Sequence, residues 1–160
     1  MNNDKEVKMN RIANFMAGIV ILSVVLAADC FAQPGLKWGS RGWRAGSPYD
    51  RMFDPKTVET VRGDVVSVDT ATFMQGMSEG VHIMLRTDKE TISVHLGPGW
   101  YILNQDTKIE PKDRLEVKGS RITFLGKPAM TAAEVRKGGQ ILKLRDETGF
   151  PVWSGWRNRQ

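Results

Sequence analysis

From Gly80 to Leu96 apolar and polar positions alternate in two successive runs. Val81, Ile83 and Leu85 fall on one face of a first arm, with His82, Met84 and Arg86 on the other. Ile92, Val94 and Leu96 share a face of the second arm, opposite Thr91, Ser93 and His95. Alternation of this length marks half-buried strands joined as a hairpin. A reversal at Asp88-Lys89 pairs Leu85 with Ile92, Ile83 with Val94 and Val81 with Leu96, so that apolar meets apolar. The same register sets His82 opposite His95 on the outer face, with Cβ atoms about 4.5–5.5 Å apart. Asp-Lys is not a favoured two-residue turn, and a longer loop with a shifted register is the competing arrangement.

The flanking pattern predicts further strands. Thr57 to Asp69 is a long β run whose apolar parity changes between Val65 and Val66, just after Gly63. A glycine beside a parity change marks a bulge or bend, as a strand shared between two sheets requires. Phe73, Met74 and Met77 are expected to cover a barrel end. Pro98 to Gln105 reads as a short helix with Pro98 at its first position. Arg114 to Phe124 is a fourth strand, Gly126-Lys127-Pro128 a turn, and Ala129 to Val135 a fifth strand weakened by its alanines. Gln140 to Arg145 is a short sixth strand, and Asp146 to Gly149 another turn. A long bent strand, a hairpin, a short helix and a second hairpin predict an all-β fold. That fold is a small five- to six-stranded OB-like Greek-key barrel with one short helix between strands 3 and 4. An open β-sandwich is the competitor; five strands within about eighty residues favour the barrel.

The N-terminal part changes the picture of location. Lys5, Lys8 and Arg11 precede an apolar run from Ala17 to Ala28, and Cys30-Phe31-Ala32 offers a cleavage site before Gln33. This is signal-peptide anatomy, and the apolar run is short for a membrane span. The expected organisation is a signal peptide over 1–32, a Gly/Pro/Trp/Arg-rich irregular lead-in over 33–56, the barrel over 57–153 and a basic tail over 154–160. The expected location is periplasmic or secreted; an uncleaved leader would instead give membrane association. Cleavage after Ala32 removes the single cysteine and leaves no thiol chemistry. The formal net charge is +5, and the leader's charges cancel, so the excess belongs to the mature chain. That favours an envelope protein or an anionic envelope component as partner, or serves solubility alone.

Val61-Arg62-Gly63-Asp64-Val65, Gly80-Val81-His82, His95-Leu96-Gly97-Pro98, Trp100-Tyr101, Val117-Lys118-Gly119-Ser120, Gly126-Lys127-Pro128 and Leu144-Arg145-Asp146 occur in this order. In these motifs the chain resembles bacterial secreted OB-fold domains, and more narrowly the domain shared by the magnetosome proteins MamS and MamX. The resemblance covers roughly Thr57 to Trp153. It implies a periplasmic or membrane-associated place and a role without a defined enzymatic reaction. MamX-like chains carry Cys-x-x-Cys-His haem-attachment motifs; this chain has none, so a covalent c-type haem is not expected.

The candidate chemistry is sparse. His82 and His95, with Met84 on the same face, are residue types that suit copper or another transition metal. Two imidazoles and a thioether fall short of a complete ligand set, and the other reading has both rings packed beneath a terminal segment. Trp100 and Tyr101 either stack on a ligand or plug a barrel end, and burial of large rings favours the plug. Trp38, Trp43 and Tyr49 face the same choice in the lead-in, with packing on the barrel favoured. Nucleic-acid binding would use a basic groove with stacking rings, but export places the chain away from nucleic acid. No Ser-His-Asp set, Cys nucleophile or phosphate loop is present, so an enzyme is not expected. The sequence thus predicts a non-catalytic extracytoplasmic binding module, with a metal-handling or redox-accessory protein as alternative.

Overall fold

The computed structural model describes residues 42–154. The leader, Cys30, Trp38 and the basic tail beyond Ser154 lie outside the described residues. The elements are β1 (Val58–Ala71), β2 (Gly80–Arg86), β3 (Thr91–Pro98), α1 (Gly99–Ile102), β4 (Arg114–Phe124), β5 (Lys127–Lys137) and β6 (Gln140–Lys143). Short 3-10 turns at Asp50–Met52 and Pro55–Thr57 precede them. The six-stranded sheet runs β3-β2-β1-β4-β5-β6, and an additional β3–β5 pairing closes it. That closing pair is parallel, with Ser93 to His95 against Ala129 to Thr131. The result is the expected OB-type barrel, with its helix between strands 3 and 4.

β1 makes closure work. Its first half, Val58 to Asp64, pairs with β4, and its second half, Asp64 to Ala71, pairs with β2. The β2 register slips between Val65 and Ser67, leaving Val66 as the extra residue of the bulge and 48% exposed. The parity change in the sequence is this bulge. The barrel interior holds Ile83, Leu85, Ile92, Val94, Val117, Met130 and Val135, all essentially inaccessible to solvent. The alanines of β5 serve packing: Gly119 lies opposite Ala132, and a Cβ on Gly119 would sit 2.5 Å from the Thr131 carbonyl oxygen. Small residues on both strands permit this close approach.

Several local expectations shift. Leu85 meets Ile92 and Ile83 meets Val94 as expected, but Val81 pairs with Gly97 rather than Leu96 because the register slips between Val81 and His82. Gly97 has φ +149°, and the Trp153 ring would lie 2.8 Å from a Cβ there, so glycine alone fits the slip. The second hairpin turns at Leu125-Gly126, both with positive φ; Lys127 and Pro128 already belong to β5. Pro98 caps α1 from outside, in extended conformation. Phe73 and Met77 are buried, whereas Met74 is exposed.

The segment before β1 is held onto the barrel. Arg145, after β6, is buried and donates to Asp50 Oδ1 at 2.5 Å and to the Gly149 carbonyl oxygen at 2.7 Å. Its guanidinium lies 5.1 Å from the Phe53 ring centroid and 5.4 Å from that of Trp153. Removing one member of a buried ion pair strands the other charge and costs about 3–5 kcal/mol. Asp50→Ala should therefore lower the stability of the full chain by that order, read as the shift of its urea unfolding midpoint.

Candidate binding site

Among the described residues, polar or chemical groups come together on the outer face of β2 and β3 and in a groove beside β1, besides a pocket around Lys118, Glu134 and Lys143. His82 is the register partner of His95, and the ring centroids are 6.3 Å apart. The two imidazoles are neighbours, as the alternation predicts. They do not stand together in solvent, however. His95 is only 2% exposed, because rings from three distant segments cover it. Phe73 stacks on it at 4.2 Å between centroids with planes 9° apart. Phe124 meets it edge-on at 4.8 Å. Tyr49 Oη lies 2.9 Å from His95 Nδ1, with the tautomer deciding which partner donates. Trp43 extends the cluster, edge-on to Tyr49 at 4.9 Å and to Phe73 at 5.5 Å. Its indole nitrogen donates to the Ser78 carbonyl oxygen, and its own carbonyl oxygen accepts from Trp153 Nε1.

An OB-fold commonly presents its strand 2–3 face to ligands. Here the chain's own aromatics fill much of that face. Local alternation marks His95 as outward, and it is; the cover comes from residues too distant in sequence for the pattern to register.

Burial sets the protonation of this cluster. It lowers the His95 pKa from 6.5 to about 4, with repulsion from His82 a smaller contribution. Burial likewise raises the Tyr49 phenol above its ordinary value, only partly opposed by Thr131 and Arg145. At neutral pH both groups are uncharged, so their contact is a neutral hydrogen bond. His82 is half-buried, and its Nδ1 is shielded without a hydrogen-bond partner. Asp69 is its register partner on β1, but the Asp69 carboxylate accepts from Ser67 Oγ. Met84, also half-buried, is flanked in register by Ser67 and Ser93. No group of three or more His, Cys, Asp or Glu positioned for a metal occurs among the described residues.

Trp100 and Tyr101 are on α1. Tyr101 is buried, with its ring 5.8 Å from that of Trp153, and Trp100 packs against the same core from a half-buried position. Their rings contribute to packing at the α1 end rather than to the His82–His95 cluster.

The second region is a groove of about 660 Å³ beside the first half of β1. One wall is the consecutive run Glu59 to Asp64, and the other is the β2–β3 turn from Arg86 to Glu90, with Arg114 and Arg121 completing it. Arg121 ties the walls by donating to Glu59 and Glu90 at 2.7 and 2.6 Å, which holds the Glu90 carboxyl below its usual range. Arg62 is bonded to Glu116. Asp64 is in register with Arg86 on one side and Arg114 on the other. Arg86, Lys89 and Arg114 are exposed and enter no ion pair among the described residues. Neither this groove nor the Asp50–Arg145 bond is legible from spacing, because the partners are far apart in the chain; the Leu144-Arg145-Asp146 motif is the only signal near it.

The His95 shift carries a sign for stability. As pH falls, the unfolded chain takes up the proton first, so the stabilisation is complete above pH 6.5 and is lost down to about pH 4. A shift of this size corresponds to about 3 kcal/mol. His95→Gln, which cannot titrate there, should lose less stability than wild type between these pH values, by that order in urea unfolding. Tyr49→Phe should cost about 1 kcal/mol at pH 7, the net value of one hydrogen bond.

Residues 57–142 match the profile of the MamS/MamX magnetosome protein family. No curated protein matches the chain. The match spans β1 to most of β6, including both His82 and His95 and the groove beside β1. The chain belongs to the MamS/MamX magnetosome protein family.

Proposed function

We propose that the protein is a non-catalytic interaction module that works outside the cytoplasm and binds an anionic partner of the cell envelope through the groove beside β1. The observation that carries this reading is the exposure of Arg86, Lys89 and Arg114 in a groove of about 660 Å³. These cations have no carboxylate bonded to them among the described residues. Exposed, unpaired guanidinium groups are available for bidentate contact with carboxylate, sulfate or phosphate. The filled strand 2–3 face favours recognition at the groove. The leader pattern, with Lys5, Lys8 and Arg11 before the apolar run, supports the extracytoplasmic place.

A second reading, handling of copper or another transition metal, rests on the shielded and unpartnered Nδ1 of His82. It ranks below the first because His95 Nδ1 is engaged by Tyr49. Calorimetric copper titration of wild type against His82→Ala separates the two readings; negligible and equal heats would remove the second.

For the first reading, the full chain should be retained on a sulfated-polysaccharide resin. The Arg86→Glu/Arg114→Glu double variant should elute at clearly lower salt, since charge contacts are screened by salt. Lys118→Glu/Lys143→Glu, an equal change of charge placed elsewhere, should elute close to wild type. Equal elution of the two double variants would contradict the groove as the binding surface.

A further inference from the structure

We propose that the groove accepts an extended acidic segment of a partner protein, which adds to β1 as an extra strand. This rests on the reading of the groove as the binding surface and names the partner's form.

The argument starts from hydrogen-bonding capacity. Over Val58 to Gly63, β1 pairs with β4 on one edge, and no strand among the described residues pairs with its other edge. Val65 donates to the Asp113 carbonyl oxygen and accepts from Lys112 N–H on the β4 side. The β1–β4 register has no slip between Val58 and Asp64. In an antiparallel pair, alternate residues turn their N–H and C=O toward the partner strand. Glu59, Val61 and Gly63 therefore bond β4, and the backbone groups of Thr60 and Arg62 point the other way. That is the side of the groove's other wall, the turn from Arg86 to Glu90, since Asp64 pairs with Arg86 on this edge.

An unpaired strand edge is a template for another strand. Among the described residues no helix packs along this edge, and Val58 to Gly63 contains no proline. A six-residue run spans about 20 Å, enough to seat a short extended peptide. Backbone pairing of this kind supplies affinity, while side chains beside the edge choose the partner. The nearby side chains are Arg86, Lys89 and Arg114. Glu59 and Glu90 share the single positive charge of Arg121; with Asp64 and Asp88 they set four carboxylates against the five cations Arg62, Arg86, Lys89, Arg114 and Arg121, so the lining keeps a small positive excess. Cations at the rim select an acidic strand and disfavour a basic one.

The test uses the full chain and a synthetic peptide of alternating Glu and Val, about six residues long, the length such an edge can pair. Calorimetry should show salt-sensitive binding. Thr60→Pro removes one edge-facing N–H while leaving the β4 ladder intact, since Thr60 does not donate to β4, and it should weaken binding about tenfold or more. The same peptide N-methylated at alternate residues should be weakened similarly against wild-type protein, and this arm does not depend on the variant folding. Wild-type affinity in either arm, or no binding of the unmodified peptide, overturns strand addition. If strand addition fails while retention on the sulfated resin still depends on Arg86 and Arg114, the anionic groove stands without it. If that dependence is also missing, the groove reading falls as well.

Discussion

One strand with two partners organises this molecule. β1 pairs with β4 before Asp64 and with β2 after it, and every other feature of the barrel accommodates that exchange. At the change the chain passes close to β2, and Gly63 is needed there because a Cβ would strike the Arg86 carbonyl. The bulge at Val66 resets the parity of the strand after the change of partner. Closure follows when β3 reaches β5 in parallel. A strand that changes partners also leaves part of each edge open. The open edge of the first half of β1 is thus a geometric consequence of closing so small a barrel, and the charged groove lies along it.

The opposite problem arises on β2 and β3, where the sheet's outer face is covered. Tyr49, Phe73 and Phe124 converge on His95, and Trp43 and Trp153 lock the segment before β1 to the segment after β6. A histidine held neutral by burial suits such a place better than a charged group, because desolvating a charge is costly. The Asp50–Arg145 pair fixes the same two segments. The two ends of the described chain thereby extend the one hydrophobic core outward, over the face that OB-folds often give to ligands.

The barrel was largely legible because its strands are amphipathic. Alternation located the first hairpin, opposed His82 to His95 and marked the bulge through the change of parity at Val65-Val66. It failed where the information is not local. The slip at Leu96-Gly97 depends on the Trp153 ring, which arrives from the far end of the chain. The burial of His95 depends on Tyr49 and Phe124, each many residues away, so the polar side of β3 reads as a solvent face. The groove draws its walls from β1, the β2–β3 turn and β4, and only the registers reveal that Arg86 and Arg114 flank one aspartate. The ordered motifs from Val61 to Pro128 lie within the residues whose match establishes the family, whereas Leu144-Arg145-Asp146 lies beyond them.

The central claim concerns the direction of backbone groups in the first half of β1, and amide hydrogen exchange in the free full chain reads it directly. Val61 and Gly63, whose N–H groups face β4, should exchange slowly, while Thr60 and Arg62, whose N–H groups face the groove, should exchange much faster. Uniform protection from Glu59 to Asp64 would show that the edge is already paired and would contradict the account.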